Sequence, residues 1–376
     1  MVTKIVATKL MTDAEIASKE SDYFTEADFP IIIKGDADVF SEEGKLLLKF
    51  RKNVISKELT DLAVASYTKA AKSLHENRGA SAGALDRKKL ANYIGEFINP
   101  GKFRTKFKSG TTGIESKQAT SNLSPSNIIG YFDKHDRNLK TKGAPCRLTA
   151  FNRDNPELWT NALPFLKRCD ELFKDLIPDR HELQHKQAVE TPEFIIPETA
   201  FSTVTINYSW RTGLHKDAGD FRPGYGNLIV IEDPNNQNSY TGGYTGFPQY
   251  GVAVDVRTGD FLAMDVHEWH CNTEMFLVNK DIIGNYSQRE IDNKWYFNRL
   301  SVVCYLREKM IRCKGLQTDK VQLMHIDKKQ KKTTTRRSKT EIEAVNALEQ
   351  EQPIVAKPKR VYKKKTVIVM DDINIV

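Results

Sequence analysis

From Phe194 to Arg307 the chain is written in short apolar runs cut by glycine-rich turns, and this texture constrains the fold more than any other feature. Leu228-Ile229-Val230-Ile231 and Phe261-Leu262-Ala263-Met264 are too short for helices, and Tyr250-Gly251-Val252-Ala253-Val254-Asp255-Val256 alternates. Closely spaced runs of this kind give strands that fold into a two-sheet barrel or jelly roll. Before Phe194 the period changes. Leu59, Leu62, Ala63, Tyr67, Ala70, Ala71 and Leu74 recur at helical spacing from Lys57 to His75. Leu158, Ala162, Leu166, Cys169, Phe173 and Ile177 do the same between Pro156 and Pro178, with a kink expected at Pro164. A further helix is expected over Lys88 to Phe97, and the basic, Ser/Thr-rich stretch from Gly101 to Ser126 reads as loop. Short strands are expected at Pro30 to Gly35 and at Leu46 to Phe50. The class implied is α+β, a β core with helices from the N-terminal half packed outside it.

Where the β texture begins stands Leu214-His215-Lys216-Asp217-Ala218-Gly219-Asp220. Residues i and i+2 of a strand share a face, with α-carbons roughly 6.6 Å apart, so His215 and Asp217 can grip one ion. A second histidine from a distant strand would complete the facial set of two imidazoles and one carboxylate that suits ferrous iron. Two histidines compete for that place, His267 and His270; His270 stands just before the small polar run Cys271-Asn272-Thr273 and is the better placed. Further on, the strand Arg299-Leu300-Ser301-Val302-Val303-Cys304-Tyr305-Leu306-Arg307 puts Arg299 and Ser301 on one face and Leu300, Val302, Cys304 and Leu306 on the other. A guanidinium is a permanently charged planar fork, suited to a carboxylate. Arg307 is its rival on the same face. Any one of these features is weak, since a lone histidine is more often an ordinary core or surface residue than a ligand. Their order along the chain is what one chemistry explains.

Charge and cysteine usage set the surroundings. The formal net charge is +8 over 376 residues, and between Lys328 and Lys365 thirteen Lys or Arg stand against four Glu, so the body is close to neutral. Runs such as Lys328-Lys329-Gln330-Lys331-Lys332 have almost no aromatics, so the tail is expected to be disordered, with nucleic-acid contact or nuclear import as its functional reading and solubility as the plain one. No apolar run approaches the ~20 residues that span a bilayer, and the start lacks a secretory pattern, which places the chain inside a cell. The five cysteines are scattered without a CxxC spacing, so buried reduced thiols are expected rather than a disulfide framework or a zinc site.

From about Arg78 to Arg307 the chain resembles the TET/JBP group of iron(II) and 2-oxoglutarate dependent nucleic-acid dioxygenases. The resemblance is carried by Arg78-Gly79-Ala80, Cys146-Arg147-Leu148-Thr149, Thr199-Ala200-Phe201-Ser202-Thr203-Val204-Thr205, Leu214 to Asp220, Trp269-His270-Cys271-Asn272-Thr273 and Arg299 to Tyr305. It implies a double-stranded β-helix core of the jelly-roll, cupin-like kind. It also implies a metal triad of His215, Asp217 and His270, which selects His270 over His267, and 2-oxoglutarate held by Arg299 with Ser301. The implied cofactors are Fe(II), 2-oxoglutarate and O2, with ascorbate as a reductant. The implied reaction is hydroxylation of the 5-methyl group of 5-methylcytosine or thymine in DNA, with RNA as a second nucleic acid and a protein or small molecule as the alternative substrate class. The expected division is an N-terminal extension over residues 1–48, the dioxygenase domain over 49–315 and the basic tail over 316–376. Such an enzyme would be nuclear in a eukaryotic host and cytoplasmic otherwise.

Overall fold

The computed structural model describes residues 1–75, 77–84, 122–133, 145–234 and 239–315, together with the backbone of 95–99, 102–109 and 113–119. The strands in chain order are β1 (Thr3–Ala7), β2 (Ile31–Ile33), β3 (Ala37–Ser41), β4 (Leu46–Arg51), β5 (Leu74–His75), β6 (Gly95–Asn99), β7 (Lys102–Ser109), β8 (Gly113–Ala119), β9 (Ser124–Asp133), β10 (Cys146–Leu148), β11 (Thr203–Tyr208), β12 (Gly226–Glu232), β13 (Tyr240–Gly242), β14 (Thr245–Phe247), β15 (Val252–Val254), β16 (Phe261–Met264), β17 (Cys271–Asn272), β18 (Met275–Leu277) and β19 (Arg299–Tyr305). Ten of them form a main sheet in the order β1-β3-β4-β16-β12-β19-β11-β9-β10, with β5 paired to β9. A smaller sheet runs β17-β14-β15-β2. The fold is mixed α and β, organised on one large sheet.

Period 2 in the sequence is what layers the molecule. Along β12, Ile229 and Ile231 are buried in one cluster and Leu228 and Val230 in another. Along β16, Phe261 and Ala263 join the first, and Leu262 and Met264 the second. The first cluster is shared with Tyr67 and Ala70 of the helix Lys57–Ala71 and with Phe165 and Phe173 of the helix Pro156–Leu176. The second is shared with Phe247, Val252 and Val254 of the smaller sheet. The main sheet therefore has helices against one face and the smaller sheet against the other. Each large side chain fully buried at these positions contributes about 1.5–3 kcal/mol. Pro164 lies inside its helix without ending it. Burial of Ala162, Phe165 and Leu166 around it offsets the ~3 kcal/mol that an interior proline costs.

Several expectations need correction. The N-terminal half is not mainly helical, because β1 to β4 supply strands to both sheets. The stretch from Gly101 to Ser126 is not loop, since it carries β7, β8 and the start of β9, and β6 to β8 pair as a separate three-stranded antiparallel sheet. Of the helix expected over Lys88 to Phe97, residues 95–97 lie in β6 and the rest falls outside the described residues. Cys146 and Cys313 are joined as a disulfide across a Cα separation of 6.0 Å. They are 167 residues apart in the chain and meet because β10 lies beside the turn Glu308–Cys313, a proximity that no spacing pattern reveals. Cys169, Cys271 and Cys304 are buried free thiols, as expected. The basic tail lies outside the described residues. Among the described residues no helix is long and apolar enough to cross a membrane.

Candidate active site

His215 does not sit on a regular strand. It forms a single antiparallel bridge with His270, in which the His215 N–H donates to the His270 carbonyl and the His270 N–H to the His215 carbonyl, both at 3.0 Å. Residues paired in this way place their side chains on the same face, and the two rings lie with centroids 4.3 Å apart. The other side of the segment is also tied down. Leu214 donates to the Asp22 carbonyl and accepts from the Ser21 N–H, each at 2.8 Å. Gly213 is required for that approach, because a Cβ there would stand 2.8 Å from the Ser21 carbonyl oxygen. Asp217 follows two residues later with its N–H on the Val266 carbonyl at 3.0 Å.

These backbone bonds bring three donor atoms together, all within 4.8 Å of one another, on His215, Asp217 and His270. His215 Nδ1 donates to the Gly213 carbonyl at 2.8 Å and His270 Nδ1 to the Glu268 carbonyl at 2.9 Å. With each Nδ1 holding the proton, each Nε2 keeps its lone pair, and these atoms stand 3.7 and 3.9 Å from the two carboxylate oxygens of Asp217. Burial, with the neighbouring His270, pushes the His215 imidazole down to about 4, so the ring is a neutral, ligating base at physiological pH. Two imidazoles and a carboxylate gathered at one end of a cavity are the donor set that suits ferrous iron while leaving positions open. His267 takes no part in this cluster.

The cavity has a volume of about 640 Å³, and alternate residues of β19, Arg299, Ser301, Val303 and Tyr305, form one wall of it. Arg299 is only 2% exposed. Its Nη2 donates to the Gly243 carbonyl at 3.3 Å, its Nε is buried with no hydrogen-bond partner, and no carboxylate among the described residues pairs with it. A buried guanidinium left without a counter-charge is costly, and an anion in the adjoining cavity removes that cost. Ser301 Oγ accepts from Asn207 Nδ2 at 3.1 Å, which leaves its hydroxyl proton to donate. The rival Arg307 also lines the cavity but is already engaged. It forms an ion pair with Asp133 and stacks 4.2 Å from the Phe132 ring centroid.

Sequence reasoning missed three participants. Asp220 lines the same cavity, and burial, then the nearby Asp217 carboxylate, pushes its carboxyl well above the usual range. Arg78 lines it as well and is itself buried enough for desolvation to lower its pKa. Both stood inside motifs already singled out, yet only burial reveals their place. The third is Lys45, whose ammonium bridges Asp265 at 2.7 Å and Glu268 at 2.5 Å, the two acids of the turn that delivers His270. Nothing in the sequence relates positions so far apart.

The model of the TET/JBP oxygenase domain of the 2OGFeDO superfamily matches residues 127–308, a span that contains His215, Asp217, His270, Arg299 and Ser301. Over those residues, just under half of its length, the chain is similar to the TET/JBP oxygenase domain. Fe(II), 2-oxoglutarate and O2 are the cofactors of that superfamily, and the donor cluster and the buried Arg299 guanidinium of this chain suit the first two. The bifunctional helicase and thymine dioxygenase JBP2 of Leishmania major is 35% identical over 181 residues, covering 48% of this chain and 14% of the relative. The thymine dioxygenase JBP1-B of Trypanosoma cruzi is 30% identical over 219 residues, covering 58% of this chain and 22% of the relative. The chain thus spans a minor part of the length of the curated relatives it matches. A solved structure of NgTET1 in complex with 5mC DNA overlays loosely, with TM-score 0.40 and 11% identity over 84% of this chain and 99% of that one. Arg78 and Lys45 precede the matched span.

Proposed function

We propose that the protein is an Fe(II)/2-oxoglutarate-dependent dioxygenase that hydroxylates the 5-methyl group of a pyrimidine base in DNA. In this reading His215, Asp217 and His270 hold the iron, and Arg299 with Ser301 takes the distal carboxylate of 2-oxoglutarate. The observation that carries it is the buried, partnerless Nε of Arg299 in the same cavity as the His-Asp-His cluster. When bound, the metal and co-substrate supply the oxidising chemistry: one oxygen atom of O2 enters the methyl C–H bond as 2-oxoglutarate loses CO2 and becomes succinate.

The remaining work belongs to the chain. Arg299 orients the co-substrate by a charge-assisted fork, and the Ser301 hydroxyl donates the second bond. The Nδ1 anchors on Gly213 and Glu268 fix both imidazoles in the tautomer that presents Nε2. Apolar residues such as Leu228, Met264 and Val303 on the cavity wall reduce water access. A base in a duplex reaches such a cavity only by leaving the stack, at a cost of a few kcal/mol. Thymine is the base that the names of the curated relatives specify, and 5-methylcytosine carries the same 5-methyl group.

The same reading takes the main and smaller sheets as the two walls of a double-stranded β-helix. It treats 49–315 as the dioxygenase unit, 1–48 as an extension that adds strands to it, and 316–376 as a basic arm on DNA. The compartment follows the DNA, nuclear in a eukaryotic host and cytoplasmic otherwise. The test is mass spectrometry of digested DNA after incubation with Fe(II), ascorbate and 2-oxoglutarate. The 5-hydroxymethyl base should form with equimolar succinate on 5-methylcytosine or thymine substrates. Succinate formation stimulated by a peptide or small molecule, with no oxidised base in DNA or RNA, would overturn the choice of substrate.

A further inference from the structure

The register of β12 against β19 sets an acid beside the arginine assigned to the co-substrate. Glu232 is the cross-strand partner of Arg299, as Val230 is of Ser301 and Leu228 of Val303. Directly opposed residues of an antiparallel pair point to the same face, with Cβ atoms about 5 Å apart. Both Glu232 and Arg299 are 2% exposed. A carboxylate and a guanidinium buried so close would ordinarily neutralise each other. Here they do not. Arg299 Nη2 donates to the Gly243 carbonyl at 3.3 Å, and the guanidinium forms no ion pair among the described residues.

The Glu232 carboxylate is taken by Arg257 instead. This residue follows β15 in the run Asp255-Val256-Arg257-Thr258-Gly259-Asp260. Thr258 bridges to Val230, and its Oγ1 accepts from the Glu232 N–H at 2.9 Å, which brings the neighbouring arginine to the end of β12. Asp260 accepts from the Arg257 N–H at 2.9 Å and fixes the turn. Arg257 Nη1 then reaches Glu232 Oε1 at 3.4 Å, and Nε donates to Asp255 at 2.5 Å. Nη1 and Nη2 also donate to the Tyr240 and Gly242 carbonyls at 3.3 and 3.2 Å. The Tyr240 ring centroid lies 4.5 Å from the Arg257 guanidinium carbon. Burial pushes the Tyr240 phenol up to about 12, with Arg299 and Arg257 pulling it down and Glu232 raising it, so one ring feels all three charges. Of these four side chains, Arg299 alone lines the cavity.

We infer that Arg257 is a positioning residue for 2-oxoglutarate binding: it holds Glu232 away from Arg299 and so keeps that guanidinium available to the distal carboxylate of the co-substrate. This rests on the reading of Arg299 as the partner of that carboxylate. Without Arg257, the buried Glu232 carboxylate bears a desolvation penalty and faces a guanidinium across the strands, and closing that pair offsets the penalty. Glu232 then competes with 2-oxoglutarate for one charge. Asp255, the other acid on Arg257, keeps 19% of its side chain in solvent and is not the cross-strand neighbour of Arg299.

The experiment is calorimetric titration of 2-oxoglutarate into the Fe(II)-loaded full chain without oxygen, on Arg257→Gln, Glu232→Gln, the double variant and Arg257→Lys. Arg257→Gln should weaken 2-oxoglutarate binding by about tenfold or more and keep Fe(II) affinity, because an internal carboxylate now occupies Arg299. The double variant should return to within about threefold of wild type, since the competing carboxylate is gone. Glu232→Gln alone should bind at least as tightly as wild type. Arg257→Lys keeps a cation on Glu232 and should lose less than Arg257→Gln. A merely structural role for Arg257 gives a different pattern, in which the double variant falls as far as Arg257→Gln or further. That pattern overturns the inference, as do weaker binding in Glu232→Gln, unchanged affinity in Arg257→Gln, or a loss of Fe(II) binding that the double variant does not restore. Arg299→Ala, titrated beside them, separates the two readings. Wild-type affinity in Arg299→Ala refutes the role of Arg299, whereas loss there with no change in Arg257→Gln refutes the role of Arg257 alone.

Discussion

His215 and His270 exchange both of their backbone hydrogen bonds, so that two residues 55 positions apart present their imidazoles side by side. The pairing is local, a single bridge outside any named strand, and Asp217 is placed by a separate bond to Val266. The His215-Asp217-His270 cluster is therefore held by main chain, and its side chains can be altered without removing the scaffold.

His215→Ala and Asp217→Ala are each expected to abolish Fe(II) binding and turnover while leaving the circular dichroism spectrum unchanged. His267→Ala should retain both, since His267 lies outside the cluster. Calorimetric titration of Fe(II) into the apo-proteins checks this, and loss of binding in His267→Ala with retention in His215→Ala would reverse the ligand assignment.

Much of this site was legible because its signals are short-range. Period 2 alone separates Arg299 and Ser301 from Leu300 and Val302, and the packing of β19 follows that division. The i, i+2 relation of His215 and Asp217 puts them together, although they occupy a bridge and a loop rather than the strand expected. What was hidden depends on distant segments meeting. Lys45 reaches the turn before His270 only because β4 pairs with β16, and Cys146 reaches Cys313 only through the neighbourhood of β10. β7 was misread for a different reason, because abundant lysine in a strand gives the composition of a loop.

Lys45→Ala should weaken Fe(II) binding several-fold with little change in stability. Its side chain is 46% exposed, so the ion pairs to Asp265 and Glu268 stabilise the fold by at most ~1 kcal/mol. They nonetheless steady the turn whose Glu268 carbonyl holds His270 Nδ1, and supports of this kind tune metal affinity. Unchanged Fe(II) affinity in the variant would show that the turn holds its shape without the lysine.

The apo-protein should lose stability in acid through His215. The folded value is about 4 against an ordinary 6.5, so the folded state binds fewer protons than the unfolded state between them. The stabilisation is present above 6.5, declines as pH falls from 6.5 towards 4, and amounts to about 3 kcal/mol. Thermal melts of the metal-free protein across this window should show a steeper fall for the wild type than for His215→Gln. Parallel curves would mean that the imidazole is not buried in its neutral form.

The central claim, that this cavity binds iron and 2-oxoglutarate together, is tested most directly by titrating 2-oxoglutarate into Fe(II)-loaded wild type, Arg299→Ala, Arg299→Lys and Arg307→Ala without oxygen. Arg299→Ala should lower affinity by orders of magnitude while Fe(II) binding survives, because it removes the buried charge that would meet the distal carboxylate. Arg299→Lys should recover part of it, keeping the charge without the fork. Arg307→Ala should have a smaller effect, since that guanidinium is already paired with Asp133. Unchanged affinity in Arg299→Ala, with collapse in Arg307→Ala, would contradict the account and move the co-substrate to the other end of the same strand.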